Sequence, residues 1–307
     1  MPKEISHILI AKEVLTDLKR SESLQLAHLI ERNLASFYLG AIIPDAFFYD
    51  MTPVVRMSGN NLWVSRALHM KDGAENDRKA VGFFKGISPA SPVWAAKVAF
   101  AAGIVTHTVS DRIIHGVIEY VTRSWGEKNG TAMATHRQLE TLIDMVLLQP
   151  MGISPRRLHL DGLVHVHPST RDILFCHYLC RVAGAPNAQG PSLVRAFRKA
   201  HVQQLFFVKL FAVKGVYEIM AFSNSLAAGR LEPWFRLCYP EKVERTSFPI
   251  TDRLDLNTLA DGHSFSESLP WLINEIVADA IEQIGQGLRI LGQGDYGTGS
   301  REEFQKA

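Results

Sequence analysis

The segment GIVTHTVSDRIIHG, residues 103–116, limits what this chain can fold into more than any other stretch of its sequence. It places His107, Asp111 and His115 at intervals of four residues among mostly apolar neighbours. Residues four apart share one face of an α-helix, so the three titratable side chains form a stripe on an otherwise apolar helix. Such a stripe fits hydrogen-bonded histidines in a core, a solvated helix face, or a set of metal ligands.

The spacing within the stripe favours a site with more than one ion. His107 and Asp111 can meet on one ion, and so can Asp111 and His115. His107 and His115 lie about 12 Å apart along the helix axis, at a rise of ~1.5 Å per residue, which is too far for both to bind the same ion. A central carboxylate has two oxygens and can join neighbouring ions. If the stripe binds metal, we therefore expect Asp111 to be the bridging ligand.

Helical periodicity extends over most of the chain, and strand-like alternation is nearly absent. Helices are predicted over residues 5–19, 22–38, 90–124, 132–149, 169–183, 191–228 and 266–291, with 90–124 forming one long helix or two shorter ones. Turns or loops are predicted at GAIIPDAFFYD, MTPVVRMSGNN and SWGEKNGT and over residues 239–265, and HLDGLVHVH is the one candidate strand.

These elements predict a single all-α domain over residues 1–307, because no internal repeat or low-complexity linker divides the chain. In this prediction, residues 1–150 form the core with the candidate metal ligands and residues 151–292 form a helical extension that completes the fold. Residues 293–307 are a frayed tail. The 307 residues are 47% hydrophobic, which is enough for a sizeable core.

Charge, cysteine content and apolar runs indicate the surroundings of the protein. A net charge of +2 is too small to indicate either nucleic acid as a stable partner or a membrane surface. The three cysteines are an odd, sparse set that suits a reducing compartment. No secretory signal is recognisable, and the longest apolar run, VWAAKVAFAAGIVTH, falls short of the ~20 residues of a membrane span. We therefore expect a soluble, cytoplasmic protein whose oligomeric state the sequence does not indicate.

Other candidate ligands lie outside the stripe. His136 and Glu140 in THRQLETLID are again four apart, and Asp144 extends their face. Taken alone, the pair also fits a surface ion pair, and Asp144 an exposed residue. Asp45 follows Pro44 between apolar residues, where a carboxylate is costly unless it is paired, binds a cation or caps a turn. His69 in RALHMKD and His7 in EISHILIA complete the set, and each on its own also fits a core histidine.

In this order the pieces resemble the zinc-dependent phospholipase C family, which includes secreted bacterial phospholipases C and the catalytic domain of glycosylphosphatidylinositol-specific phospholipase D. The resemblance covers about the first 145 residues. It rests on His7 early in the first helix, G-x-x-x-P-D at residues 40–45, His69, GIVTHTVSDRIIH and HRQLE. It implies an all-α fold that holds up to three zinc ions in a cleft. The fungal single-strand nucleases have a similar scaffold.

Carried over residue by residue, the resemblance implies two to three bound zinc ions. The first would be held by Asp45, His69, His107 and Asp111. The second would be held by His115, His136 and Glu140. Asp111 would bridge to a third, completed by His7 and the amine of the first residue. Secreted members expose that amine by signal cleavage, whereas here removal of Met1 would leave the Pro2 amine five residues before His7.

The resemblance also implies the chemistry. Clustered zinc lowers the pKa of a bound water and neutralises phosphoryl oxygens, so the expected reaction is hydrolysis of a phosphodiester, with a phospholipid as substrate and transient contact with a membrane surface. Asp45 would orient or deprotonate the attacking water. The aromatic residues near the ligands either line the cleft or belong to the core: Phe47, Phe48, Tyr49 and Trp63.

Two other functions remain compatible with the sequence. One is a single-strand nuclease or another phosphodiesterase on the same metal core, and the other is a metal-binding protein without catalysis. The second half of the chain offers weaker motifs. HLDGLVHVHP and CHYLC carry histidines and cysteines that fit a further metal site or ordinary core positions. Five basic residues fit a phosphate site or a solvated face: Arg156, Arg157, Arg195, Arg198 and Lys199.

Overall fold

The computed structural model describes residues 3–21, 23–50, 61–70, 72–129, 132–183, 191–241 and 269–293. All regular secondary structure in these ranges is helical, which confirms the all-α prediction. The α-helices are α1 Glu4–Arg20, α2 Leu24–Arg32, α3 Leu34–Ile42, α4 Leu62–Arg66, α5 Gly73–Val81, α6 Trp94–Asn129, α7 Ala132–Leu148, α8 Leu160–Leu163, α9 Pro168–Ala183, α10 Pro191–Phe211, α11 Lys214–Leu226, α12 Glu232–Phe235 and α13 Leu269–Gln293. Four 3-10 helices add Ile43–Tyr49, Gly82–Phe84, Gln149–Met151 and Pro155–Arg157.

None of these described helices combines the length and the apolar character that crossing a membrane requires. The chain divides into two compact units, one of residues 1–6, 111–159 and 208–275 and the other of residues 7–110, 160–207 and 276–307. The single domain over residues 1–307 stays a prediction.

Aromatic side chains form the core of the unit that contains residues 7–110. Phe197 of α10 lies at its centre, with its ring 4.7 Å from Phe175 and 5.1 Å from Tyr178, both on α9. Phe47 stacks on Phe197 at 5.2 Å. Burying rings of this size contributes a large share of the hydrophobic stabilisation. Phe47 belongs to the same 3-10 helix as Asp45, so this core holds that carboxylate in place.

Two glycines let α3 and α6 approach each other at backbone distance. A Cβ atom on Gly40 would lie 2.1 Å from the Phe100 carbonyl oxygen, and one on Gly103 would lie 2.0 Å from the Phe37 carbonyl oxygen. Both distances are far inside van der Waals contact, so only glycine fits at either position. This approach brings the end of α3 against the part of α6 that carries His107.

The segment GAIIPDAFFYD is not a simple turn. Its residues 43–49 form a 3-10 helix with Pro44 in the first turn, where proline loses no helical hydrogen bond. The backbone N–H of Phe47 donates to the Ser65 hydroxyl of α4 at 3.1 Å. Asp45 and the helix that precedes His69 are thereby joined by a buried hydrogen bond.

Several predicted boundaries are wrong. Residues 22–38 belong to two helices, because Asn33 between α2 and α3 leaves helical geometry with φ −122°. Residues 191–228 also break into α10 and α11, since Val213 is extended with ψ 121°. Conversely, SWGEKNGT continues α6 as far as Asn129. Extending an existing helix costs little, so glycine and polar residues there do not end it.

Of the remaining predicted elements, one is wrong, four are confirmed and three lie wholly or mostly outside the described residues. HLDGLVHVH contains the short helix α8 and no strand. The predicted helices at 5–19, 132–149 and 169–183 are confirmed within two residues by α1, α7 and α9, and 90–124 is one helix, α6. The predicted loop at residues 51–60, most of the stretch 239–265 and the tail from residue 294 lie outside the described residues.

Candidate metal centre

Asp45 is the focus of a buried group of histidines. Its side chain is 1% exposed. Asp45 Oδ1 lies 3.0 Å from His69 Nε2 and 3.7 Å from His107 Nε2, and Asp45 Oδ2 lies 3.8 Å from His7 Nε2. Three residues far apart in sequence thus present the same ring atom to one carboxylate. Asp45, His69 and His107 are close enough to one another to share a metal ion.

The backbone determines which nitrogen of His107 carries the proton. His107 Nδ1 lies 2.9 Å from the Ala41 carbonyl oxygen at the end of α3. A carbonyl oxygen only accepts hydrogen bonds, so Nδ1 must be the protonated, donating nitrogen. In the neutral ring this leaves the lone pair on Nε2, the atom that faces Asp45 and His69.

His69 and His7 are oriented in the same way. His69 Nδ1 donates to the carbonyl oxygen of Ser65, one turn earlier. His7 Nδ1 lies 2.8 Å from the Ser110 hydroxyl, whose own proton goes to the His107 carbonyl oxygen. The hydroxyl therefore accepts from His7 Nδ1–H. In each of the three histidines, Nε2 holds the lone pair of the neutral ring.

This arrangement brings electron-rich atoms together. His69 Nε2 and His107 Nε2 are 3.2 Å apart, and neither neutral ring has a proton on that atom. The Asp45 carboxylate adds a negative charge at the same point. Lone pairs and a carboxylate in a buried group repel each other unless a metal cation or an additional proton lies among them. Metal-binding histidines are oriented in this way, with the second ring nitrogen bound to a carbonyl or hydroxyl group.

The separations between these atoms suit zinc. Two ligands of a tetrahedral zinc ion, each ~2.05 Å from the metal, are about 3.3 Å from each other. The separations of 3.0, 3.2 and 3.7 Å among Asp45, His69 and His107 bracket that value. Nitrogen and carboxylate ligands in this number are typical of zinc sites that keep a position for water or substrate. The residues present therefore fit zinc.

A second group of ligands lies in the other unit. His115 of α6 and His136 and Glu140 of α7 present ligand atoms that all lie within 4.8 Å of one another. His136 Nε2 is 3.0 Å from Glu140 Oε1, as the four-residue spacing predicts. Burial opposes ionisation of Glu140, but the groups beside it, among them His136 as a hydrogen-bond partner, lower its pKa to about 2. Glu140 is therefore an anion at neutral pH.

Asp111 lies between its predicted partners on α6. It is buried, and its Oδ1 is 3.2 Å from His115 Nε2. His107 precedes it by four residues on the same continuous helix. The predicted role of Asp111 as a bridging ligand stays a prediction, as do the third site and the ligand role of the chain's amine, since residues 1 and 2 lie outside the described residues.

Asp144, expected to be either a supporting residue or exposed, is fully buried. Its Oδ1 accepts the Ser6 backbone N–H at 2.8 Å as well as the Ser6 hydroxyl, and its Oδ2 accepts the Tyr239 hydroxyl. Burial raises the pKa of Asp144 to about 6, against the opposing effect of these hydrogen bonds and of the nearby Lys3 charge. Asp144 caps the first turn of α1 from a neighbouring helix and does not belong to the ligand group of Glu140, one turn earlier.

The aromatic residues near the ligands have different positions. Phe47 is a core residue. Phe48 and Tyr49 are half-buried, and the Phe48 ring lies edge-on to His69 at 5.3 Å. Trp63 is 44% exposed on α4, six residues before His69. Phe48 therefore lies beside the candidate ligands and Trp63 is open to solvent, whereas Phe47 supports the fold.

The weaker motifs of the second half do not form a metal site in the described part of the chain. None of the histidines and cysteines of these motifs belongs to a group of three converging ligands. They are His159, His165, His167, Cys176, His177 and Cys180. His177 Nε2 instead donates to the Phe83 carbonyl oxygen, and burial lowers its pKa to about 4. His159, His165 and His167 are exposed, whereas Cys176, His177 and Cys180 are half-buried on α9.

The sequence reasoning missed the groups that orient the histidines. The Ser65 carbonyl is one turn from His69, so its position carried a signal. The Ser110 hydroxyl carried none, because it lies 103 residues from His7, the ring that it orients. The Ala41 carbonyl carried none, because it lies 66 residues from His107 in sequence and meets it only through the packing of α3 on α6.

Comparison with known proteins identifies a family. The family model described as zinc dependent phospholipase C matches residues 6–180, which is more than half of the chain. It begins one residue before His7 and extends past Glu140 as far as Cys180, beyond the part on which the sequence resemblance rested. No curated protein and no solved structure gives a significant match.

Proposed function

Since the chain belongs to the zinc-dependent phospholipase C family, we propose that it is a zinc-dependent hydrolase of phosphodiester bonds whose substrate is a phospholipid. The observation that carries this proposal is the orientation of His7, His69 and His107, whose Nε2 atoms all face the Asp45 carboxylate. A cation held there, and a second at His115, His136 and Glu140, would account for both groups of ligands.

Each group has a defined part in the proposed reaction. Bound zinc supplies an acidified water and positive charge for the phosphoryl oxygens. His69 and His107 hold their Nε2 atoms in place through the Ser65 and Ala41 carbonyls, so no reorganisation of the rings is needed during the reaction. Asp45 orients the attacking water and takes one of its protons while the water oxygen bonds to phosphorus. That proton then passes to the departing alkoxide as the ester bond breaks.

Access to the site is proposed to be on the side of His69. Its side chain is 10% exposed, whereas His7 and His107 are 0% exposed. Phe48 lies beside His69 on this side and offers apolar surface to a lipid headgroup or glycerol backbone. Buried His7 and His107 would exclude solvent from the far side of the ions, which strengthens the electrostatic effect of the metal.

The experiment combines metal analysis with a substrate panel. Purified chain is assayed for zinc by elemental analysis, then for hydrolysis of a monomeric short-chain phosphatidylcholine, bis(p-nitrophenyl) phosphate and single-stranded DNA. We expect zinc-dependent cleavage of the phospholipid, loss of activity on chelation, and its return on adding zinc. Cleavage of DNA without cleavage of the phospholipid would establish a nuclease instead, and bound zinc without turnover on any substrate would establish a metal-binding protein.

A further inference from the structure

Helix α10 has a buried face that sets its orientation. Phe197, Ala200 and Gln204 on this face are 0% exposed. The Gln204 side-chain amide donates to the Ile42 carbonyl oxygen at 2.9 Å. Because these contacts recur every three to four residues, they determine which residues of α10 point outward.

The outward face of α10 carries two large apolar side chains. Val202 is 57% exposed and Phe206 is 58% exposed. They are four residues apart and therefore neighbours on the helix surface. Isolated exposed apolar residues are common, but an adjacent pair on a single outward face indicates a contact surface.

Basic residues lie on the same face. Arg195, Arg198 and Lys199 are exposed and precede Val202 at intervals of three to four residues. Lys209 follows Phe206 in the last turn. The sequence of α10, PSLVRAFRKAHVQQLFFVKLF, has no acidic residue. Arg198 forms an ion pair with Asp172 of α9 at 2.7 Å, and the charged residues that α10 itself contributes to this face are all basic.

The combination of basic and apolar side chains on this face fits an anionic lipid surface better than it fits other binding partners. Basic side chains attract negative headgroups, and apolar side chains between them enter the acyl boundary. A second copy of the chain would place cations against cations. A nucleic acid would explain the cations but would leave Val202 and Phe206 without an apolar partner.

We propose that the outward face of α10 between Arg195 and Lys209 docks the protein on membranes that contain anionic phospholipid. This proposal rests on the proposed function for its biological purpose, since the substrate would lie in such a membrane. The binding itself requires neither zinc nor turnover.

The test measures vesicle binding of the full chain. The protein is sedimented with vesicles of phosphatidylcholine alone or mixed with phosphatidylglycerol, at low and high salt. We expect binding to the mixed vesicles that weakens with salt. The double variant Val202→Asp/Phe206→Asp should bind about tenfold more weakly or worse, because it removes the inserted apolar groups and adds repulsive charge. Arg195→Gln/Lys199→Gln should bind about tenfold more weakly and lose much of the salt dependence.

Leu24→Asp is the matched control. Leu24 is 50% exposed on α2, so the change introduces a carboxylate at another exposed apolar position. It should bind vesicles within about twofold of the parent, as expected for a position outside the docking face. Circular dichroism checks that all variants fold.

The outcomes separate the two proposals. Each variant is also assayed on a monomeric short-chain phospholipid in solution. Docking has no role in this assay, so each variant should hydrolyse the substrate at the same rate as the parent. Absence of turnover in the parent would remove the proposed function without affecting the docking result. Equal vesicle binding by the parent and the Val202→Asp/Phe206→Asp variant would overturn the docking proposal, as would binding of single-stranded DNA in place of vesicles.

Discussion

His69 and His107 face each other through their Nε2 atoms at 3.2 Å, while the Nδ1–H group of each donates to a backbone carbonyl. The backbone thus directs two lone pairs toward the same point, next to the Asp45 carboxylate. Such a contact is unfavourable between neutral rings and becomes favourable when a cation lies between them. This relationship is the strongest physical sign that the group binds metal.

Removing one of these rings should remove metal. We expect His69→Ala to lose about one zinc equivalent and to lower the rate of phospholipid hydrolysis by about a hundredfold or more. The matched control is His167→Ala, since His167 is exposed and its ring contacts Ser169. Elemental analysis and initial rates provide the measurement. An unchanged zinc content in His69→Ala would place the ion elsewhere.

Asp111 should matter to more than one ion. Asp111→Asn keeps the shape of the side chain but removes the charge that two neighbouring cations need between them. We expect this variant to lose more than one zinc equivalent and nearly all activity, whereas His115→Ala should lose about one equivalent. Zinc per chain is measured alongside circular dichroism. If Asp111→Asn retained as much zinc as the parent, Asp111 would not be a bridging ligand.

The approach of α3 to α6 should tolerate no side chain at Gly103. Gly103→Ala places a Cβ atom 2.0 Å from the Phe37 carbonyl oxygen, so the helices must separate. We expect a loss of about 1–3 kcal/mol in the free energy of unfolding, together with weaker zinc binding, because the Ala41 carbonyl moves away from His107. Gly116 lies on the same helix with nothing within 4 Å of its position for a Cβ atom. Gly116→Ala should therefore be neutral or slightly stabilising. Equal stability of the two variants in chemical denaturation would refute this account of the packing.

Asp144 should give stability a distinct pH dependence. Burial raises its pKa from 3.8 to about 6, so the folded chain holds a proton that the unfolded chain has released between these values. Stability from this residue is fully present below pH 3.8 and is lost as the pH rises through about 6. Asp144→Asn cannot ionise, yet its amide oxygen still accepts the Ser6 N–H. We expect the stability of the parent relative to this variant to fall between about pH 4 and pH 6.

The measurement is the free energy of unfolding of both proteins in the metal-free state at several pH values. Comparing the two cancels the contribution of other titrating groups, including Glu140, whose lowered pKa acts in the opposite direction at lower pH. A constant difference across this range would show that Asp144 ionises in the folded chain as it does in the unfolded one.

Local periodicity determined the pairs that lie one helical turn apart. Asp111 with His115 and His136 with Glu140 are in contact because four residues make about one turn of an α-helix, whatever the rest of the chain does. The all-α class followed from the same periodicity. Helix ends were less predictable, because the break at Asn33 and the continuation of α6 to Asn129 depend on small local differences in free energy that packing can outweigh.

Only the tertiary structure decided how Asp45, His69 and His107 meet. They are separated by 24 and 38 residues, and no local rule brings them together. The backbone approach at Gly40 and Gly103 places the Ala41 carbonyl against His107, and the Ser65 hydroxyl ties α4 to the segment of Asp45. The direction in which the ring nitrogens of His107 and His7 point results from long-range contacts, because a histidine's tautomer depends on the group that its other nitrogen meets.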